Sequence, residues 1–388
     1  MKLLLCSQNP LDVRLGAAKA LIELAASLEA IGWQCRLAAN TEILPGSRAE
    51  NTIVATSRFV LAMGRFVEKH AREFDVVDYD QIALPFPRSR FEASTLLVAR
   101  SGLLNYHLQK ARIPRFPGAR ALAGSVIKGP LRNARRDFHV WLSGHTFASA
   151  DLINVNNDQD RPTLIAKGFD ERKIAVLPLG LTTAQLATFP ASATPAPTVP
   201  RVAFIGTFDA RKGASDLPRI VRAVTQAVPG CKFRLLGSRY MGEAEVLAFF
   251  PKALRGSLEV TPSYTPDQLS VLLRDCSVGI FPSYMEGFGF AVIEMMAASL
   301  PVLAYDVPGP AMILGSDWLV PAGAAGELAR RTVELLTDPG RLHAARVWAR
   351  SRANEFTCER AAKSMSEVYS EHVRRLRGRG RKFVRGVN

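Results

Sequence analysis

Apolar residues in this chain fall into short runs separated by longer stretches of helical period. Residues 2–7 form a short apolar run that Asn9-Pro10 breaks. Ala20, Leu21, Leu24, Leu28 and Ile31 then share one helical stripe, which Gly32 closes. Residues 34–38 resume as a strand. Strand, glycine-containing loop, helix and strand make a βαβ unit, and such units imply a parallel sheet. Further short runs follow at residues 75–78, 95–99, 151–155 and 173–178, each bounded by polar or turn residues. A second series begins at residues 201–205, with Gly206 opening the next loop. Leu217, Ile220, Val221, Val224 and Val228 line a helical face. Strands are expected at 232–236, 258–261, 278–281 and 301–304, and helices near 266–275, 290–299, 324–336, 340–355 and 359–377.

Between the two series the composition turns to Ala, Thr, Ser and Pro, and proline at that density resists both helix and sheet. The expected organisation is an N-terminal Rossmann-like domain over 1–186, a linker over 187–200 and a second Rossmann-like domain over 201–356. A C-terminal helix over 357–376 and a basic tail over 377–388 complete it. Each half is α/β and doubly wound, with its ligand crevice expected at the carboxyl ends of the strands. A length of 388 residues agrees with two cores rather than one.

Composition narrows the compartment. The chain is 48% hydrophobic and 22% charged, a globular balance. No window holds the roughly 18 uninterrupted apolar residues of a membrane span, and the first apolar run is too short for a signal peptide. Cys6, Cys35, Cys231, Cys276 and Cys358 are scattered, with no C-x-x-C spacing. That argues against a disulfide framework or thiolate metal site, and for the cytoplasm.

The net charge of +15 is unevenly spread. Residues 374–385 carry seven basic residues and no acid, and residues 93–136 also lack acids. The second stretch holds Arg100, Lys110, Arg112, Arg115, Arg120, Lys128, Arg132, Arg135 and Arg136. Ile113, Phe116, Leu122, Val126, Ile127 and Leu131 are interspersed with them. A solvated basic surface is the plain reading. Apolar residues among basic ones favour an anionic membrane face over a phosphate-backbone groove. No zinc spacing, RNA-binding sheet motif or helix-turn-helix signal supports nucleic acid as a partner.

Two loops carry candidate chemistry. Gly206-Thr207-Phe208-Asp209-Ala210-Arg211-Lys212-Gly213 follows a strand and precedes a helix. Guanidinium and ammonium groups there suit a diphosphate. The other stretch runs from Ser283 through Glu286-Gly287-Phe288-Gly289 to Glu294, with seven residues between its two carboxylates. A glycine loop at a helix N-terminus suits a phosphate. Glu294 sits about two turns of 3.6 residues beyond Glu286. A carboxylate among apolar neighbours such as Glu294 needs a partner, either a basic side chain or the hydroxyls of a sugar. Two basic residues on one loop and two acids around a later one suit an anionic sugar nucleotide.

These residues resemble a known family. Ile280-Phe281-Pro282-Ser283 with Glu286-Gly287-Phe288-Gly289 and Glu294 is similar to the E-x7-E signature of family 4 glycosyltransferases. Pro301-Val302, Asp306 and Pro308-Gly309-Pro310 extend the resemblance, and Phe204-Ile205-Gly206 with Lys212-Gly213 resembles that family's diphosphate loop. The segment from Ala150-Asp151 to Leu179-Gly180 resembles the end of its N-domain. The resemblance implies a GT-B fold, two Rossmann-like domains facing across a cleft with the last helix crossing back. It also implies retaining, metal-independent sugar transfer from a nucleotide-diphosphate donor, with no other cofactor. Lys212, and Arg211 beside it, would stabilise the leaving diphosphate. Glu294 would hold the donor ribose and Glu286 the donor sugar. Gly206 and Thr207, and the backbone at Gly287, Phe288 and Gly289, would meet sugar or phosphate, and Gly16 would lie near donor phosphate and acceptor.

The basic apolar stretch adds a glycan or lipid-linked acceptor of envelope polysaccharide synthesis, used at the inner face of the cytoplasmic membrane. Two departures stand out. Thr207 occupies a position where the family often has arginine, and Arg100-Ser101-Gly102 stands where it often has a histidine, with His107 the nearest candidate. A sugar-nucleotide epimerase of the same fold and a non-catalytic sugar-nucleotide-binding protein are the alternative readings.

Overall fold

The computed structural model describes residues 1–12, 16–46, 52–110, 113–114, 119–192 and 197–385. The chain forms two compact units. The first comprises Met1–Lys110, Ala123–Gly180 and Cys358–Asn388, and the second Ala111–Leu122 and Leu181–Thr357.

Six strands build the first unit: β1 (Lys2–Cys6), β2 (Gln34–Ala38), β3 (Val76–Asp80), β4 (Leu96–Ser101), β5 (Leu152–Val155) and β6 (Ile174–Val176). They lie in the order β2-β1-β3-β4-β5-β6, every pair parallel. Both faces of such a sheet are buried, which is why the strands are continuous apolar runs. Leu4, Val77, Leu97 and Ile153 face one core, and Leu3, Leu5, Val76, Leu96, Val98 and Leu152 face the other. The second face packs on the helix Gly16–Ala30 and on the terminal helix Cys358–Arg385. Ala362, Met365 and Tyr369 of the terminal helix are fully enclosed there. The Tyr369 hydroxyl donates to Asp78 at 2.6 Å and accepts from Asn154 at 3.2 Å, so the helix is tied to the sheet by polar bonds as well. It runs without a break into the basic segment, as far as Arg385.

The second unit has β7 (Arg201–Ile205), β8 (Lys232–Leu236), β9 (Leu258–Thr261), β10 (Val278–Phe281), β11 (Val302–Tyr305) and β12 (Leu319–Val320). Its order is β12-β11-β10-β7-β8-β9, again all parallel. The winding reverses between β7 and β10, so the topological switch point lies at the carboxyl ends of those two strands. Open α/β sheets bind ligands at that position. The helix Leu217–Ala227 buries Leu217, Ile220, Val221 and Val224 against this sheet. Arg346 is fully buried, and its Nη1 donates to the carbonyls of Cys276 and Ser277 at 3.0 and 3.1 Å. Burial pushes its pKa down. Those bonds fix the start of β10 while meeting the demand of an enclosed guanidinium.

The unit boundary precedes the proline-rich stretch read as a linker. Leu181 donates its N–H to Phe356 O at 3.1 Å, Phe189 is buried, and Arg350 Nε donates to Pro190 O at 2.8 Å. These contacts attach residues 181–190 to the second unit. Residues 193–196 of the expected linker lie outside the described residues.

Candidate functional site

Two loops meet at the switch point of the second unit. The loop after β7 reverses through Gly206, and Asp209 then caps a turn of 3-10 helix, Ala210–Lys212, by accepting from the Lys212 N–H at 3.0 Å. Thr207 Oγ1 donates to the same carboxylate at 2.5 Å. Gly213 follows at φ 78°, and a Cβ there would stand 2.0 Å from the Pro282 carbonyl oxygen. Only glycine permits that conformation and that approach. The second loop is thereby pressed onto the first. Arg211 O accepts from the Tyr284 N–H at 2.8 Å and from Ser283 Oγ at 3.3 Å.

This packing delivers the charged side chains. Lys212 Nζ donates to Glu286 Oε2, although 74 positions separate the two in sequence. Both are mostly enclosed, with side-chain exposures of 15% and 17%. The ammonium also lies 5.1 Å from the Phe281 ring centroid. The Arg211 guanidinium makes no hydrogen bond or ion pair to another described residue. Gly206 lies under the Lys212 stem, where a Cβ would be 3.6 Å from its methylenes.

Beyond Glu286, Gly287 and Phe288 are buried, and Gly289 caps the helix Phe290–Ala297 in the left-handed region at φ 104°. The Pro308-Gly309-Pro310 turn closes on Phe288, and a Cβ at Gly309 would reach within 2.5 Å of the Phe288 carbonyl. Glu294 is half-buried one helical stretch further on. Burial pushes the Tyr264 phenol pKa up, and the Glu294 charge adds to it. Lys212, Arg211, Glu286 and the glycine loop thus share one crevice edge, with Glu294 on the helix that leaves it.

Gly16 belongs to the first unit, as the first residue of the helix Gly16–Ala30, with open space around its α-carbon. His107, the nearest histidine to the end of β4, is bonded through Nε2 to the buried Asp160 carboxylate at 2.6 Å. Sequence reasoning left Asp160 and Asp216 unnamed, and it passed over Tyr284 inside the very stretch it singled out. Asp216 was legible as the residue ahead of the Leu217 helix, but its partners lie far along the chain.

Residues 199–338 match the family model described as glycosyl transferases group 1. A D-inositol 3-phosphate glycosyltransferase of Streptomyces bingchenggensis is 36% identical over 119 residues, covering 30% of this chain and 26% of the relative. One of Nocardia farcinica is 28% identical over 239 residues, covering 58% of this chain and 53% of the relative. The chain therefore aligns with between about a quarter and about half of these relatives' length. Sucrose-phosphate synthase from Thermosynechococcus elongatus superposes with a TM-score of 0.71 at 19% identity, over 96% of this chain and 98% of that one. HepE of Anabaena, solved with UDP and glucose, gives 0.63 at 15% identity, over 96% and 100%. Such low identity carries the fold alone. The chain accordingly has the GT-B fold, and its residues 199–338 match the glycosyl transferases group 1 family model.

Proposed function

We propose that this chain is a retaining glycosyltransferase that moves a sugar from a nucleotide-diphosphate donor to a glycan or lipid-linked acceptor. The observation that carries the reading is the meeting of Lys212 and Glu286 at the switch point. Breaking the bond between sugar and diphosphate leaves negative charge on the departing phosphate. A fixed ammonium in a partly enclosed site stabilises that charge most as it develops. Lys212 has three N–H donors, so it accommodates a phosphate oxygen while keeping Glu286. Arg211 supplies a second cation on the same turn, and Glu286 is then placed to accept from donor-sugar hydroxyls. Glu294 serves the ribose. Retention and metal independence are supported by the family 4 resemblance, as is the role of Gly16 beside donor phosphate and acceptor.

The test is release of nucleoside diphosphate from a panel of nucleotide sugars, with and without candidate acceptors. Lys212→Ala and Glu294→Ala should each abolish transfer while leaving the fold intact. Unchanged turnover in either variant would sink the assignment. Thr207, tied to Asp209 rather than replaced by a cation, favours the second reading of a binding protein without catalysis. Measurable transfer excludes it.

The acceptor reading extends to the membrane, at the inner face of the cytoplasmic membrane and in envelope polysaccharide synthesis. No described helix is long and apolar enough to cross a bilayer, so attachment would be peripheral. Support comes from the first unit. Val54, Leu61, Leu131 and Trp141 are exposed by 61%, 54%, 68% and 53% on two helices, Ile53–His70 and Ala119–Ser149. Thr56 Oγ1 and His139 Nε2 join the helices at 3.4 Å, and Val60 and Leu142 share one apolar cluster. Arg58, Arg65 and Arg132 are exposed among these residues. Val54, Arg58, Leu61 and Arg65 recur at helical spacing along one stripe. An apolar stripe set among cations suits an anionic interface. Of the stretch read from the sequence, Arg112, Arg115 and Phe116 lie outside the described residues. So do the side chains of Lys110, Arg120, Leu122, Val126, Ile127 and Lys128.

A further inference from the structure

Behind the two loops lies a cluster to which the proposed chemistry assigns no task. Asp216 stands immediately ahead of the helix Leu217–Ala227. Its Oδ2 accepts from the Tyr284 and Tyr305 hydroxyls, each at 2.6 Å. The two rings meet edge to face with centroids 5.2 Å apart. Gly323 closes another side, since a Cβ there would lie 3.3 Å from the Tyr284 hydroxyl. Burial, and then the hydrogen bond to Asp216, push both phenol pKa values up, so both hydroxyls remain donors.

The three residues come from three different places: the loop after β7, the loop after β10 and the end of β11. Tyr284 is the link between them. Its hydroxyl is anchored on Asp216, and its backbone N–H is anchored on Arg211 O. Glu286 follows two residues later. A side chain pinned at both ends leaves the adjoining carboxylate little freedom to wander. A carboxylate suits the anchoring task because it accepts two O–H donors at once. The positive end of the Leu217–Ala227 helix favours its charge as well.

We propose that Asp216 is a positioning residue for the donor site, which holds the Glu286 carboxylate against Lys212 through Tyr284. The inference rests on reading this site as one for a nucleotide sugar. Asp216 touches no donor atom; it sets the register of the loop that does. Asp216→Asn keeps the shape and removes the charge, and Tyr284→Phe removes the bond on the loop side.

Two measurements test this. Calorimetric titration of the full chain would use UDP, GDP and ADP, then UDP-glucose, GDP-glucose and ADP-glucose. In both variants the nucleotide sugar that binds wild type should lose about tenfold in affinity. The bare diphosphate should lose less than about twofold, because Glu286 meets the sugar. In a Glu286→Gln background, Asp216→Asn should cost nothing further, since coupled residues are non-additive. Amide exchange over residues 283–289 should accelerate in both variants without any ligand. Equal losses for diphosphate and nucleotide sugar would overturn the inference, and so would wild-type exchange across that loop. If the wild type binds no nucleotide, the functional reading falls instead, and the exchange arm alone then decides whether Asp216 positions the loop.

Discussion

Asp80 shows how a single residue ties this fold to pH. It ends β3 and accepts from the Ile82 N–H at 3.2 Å. Burial pushes its pKa up to about 6, with Arg100 pulling the other way. A carboxyl raised above its unfolded value binds its proton more tightly in the native state. Its contribution to stability is therefore complete below the unfolded pKa near 4 and is lost as pH rises toward 6. The loss is on the order of 2 kcal/mol. Asp80→Asn should flatten the stability of the chain between pH 4 and pH 6, measured by denaturant unfolding at several pH values. An undiminished slope in the variant would place the titration elsewhere. The candidate site has its own single-residue requirement in Gly213, whose backbone conformation and close approach to Pro282 exclude a side chain there.

At the scale of elements, the terminal helix Cys358–Arg385 belongs to the first unit's core, although the chain reaches it only after the whole second unit. Met365 and Tyr369 fill the layer against β1, β3 and β4, alongside Leu24 and Leu28 of the first helix. Met365→Ala should destabilise the first unit by about 2–5 kcal/mol. Amide exchange in β1 and β3 would report it, while exchange in β7 and β10 should stay as in wild type. A loss spread equally over both sheets would contradict the assignment of the helix.

Most strands were legible because fully buried parallel strands are short apolar runs with polar ends. The expected limits of β7, β8, β9 and β10 coincide with the observed ones. The helix Ala119–Ser149 was not legible, since Gly124, Gly129 and Pro130 interrupt its pattern. Of the candidate crevice, Lys212, Glu286 and the glycine loop could be read locally, from a glycine turn after a strand and charges beside it. The Asp216–Tyr284–Tyr305 cluster could not, because hydrogen bonds spanning 68 and 89 positions leave no periodic trace.

For the molecule as a whole, the proposed function divides between the units, with sugar-nucleotide chemistry in the second and membrane attachment in the first. The second part has a direct check by co-sedimentation with vesicles. This 388-residue chain should pellet with vesicles containing anionic lipid and remain in solution with neutral ones. Replacing Val54, Leu61 and Trp141 with serine should reduce that binding by about tenfold or more, given roughly 1.5–3 kcal/mol for each large apolar side chain buried. Equal binding to neutral vesicles, or no change in the variant, would remove the membrane from the account.

The central claim is that the crevice between the β7 and β10 loops holds a nucleoside diphosphate through Lys212. Titration calorimetry of wild type and Lys212→Ala with UDP, GDP and ADP tests it most directly. The account predicts that wild type binds at least one of the three. It also predicts that Lys212→Ala weakens that binding by about tenfold or more, the loss of one charge-assisted phosphate contact. Binding of none of the three by wild type, or undiminished affinity in the variant, would contradict it.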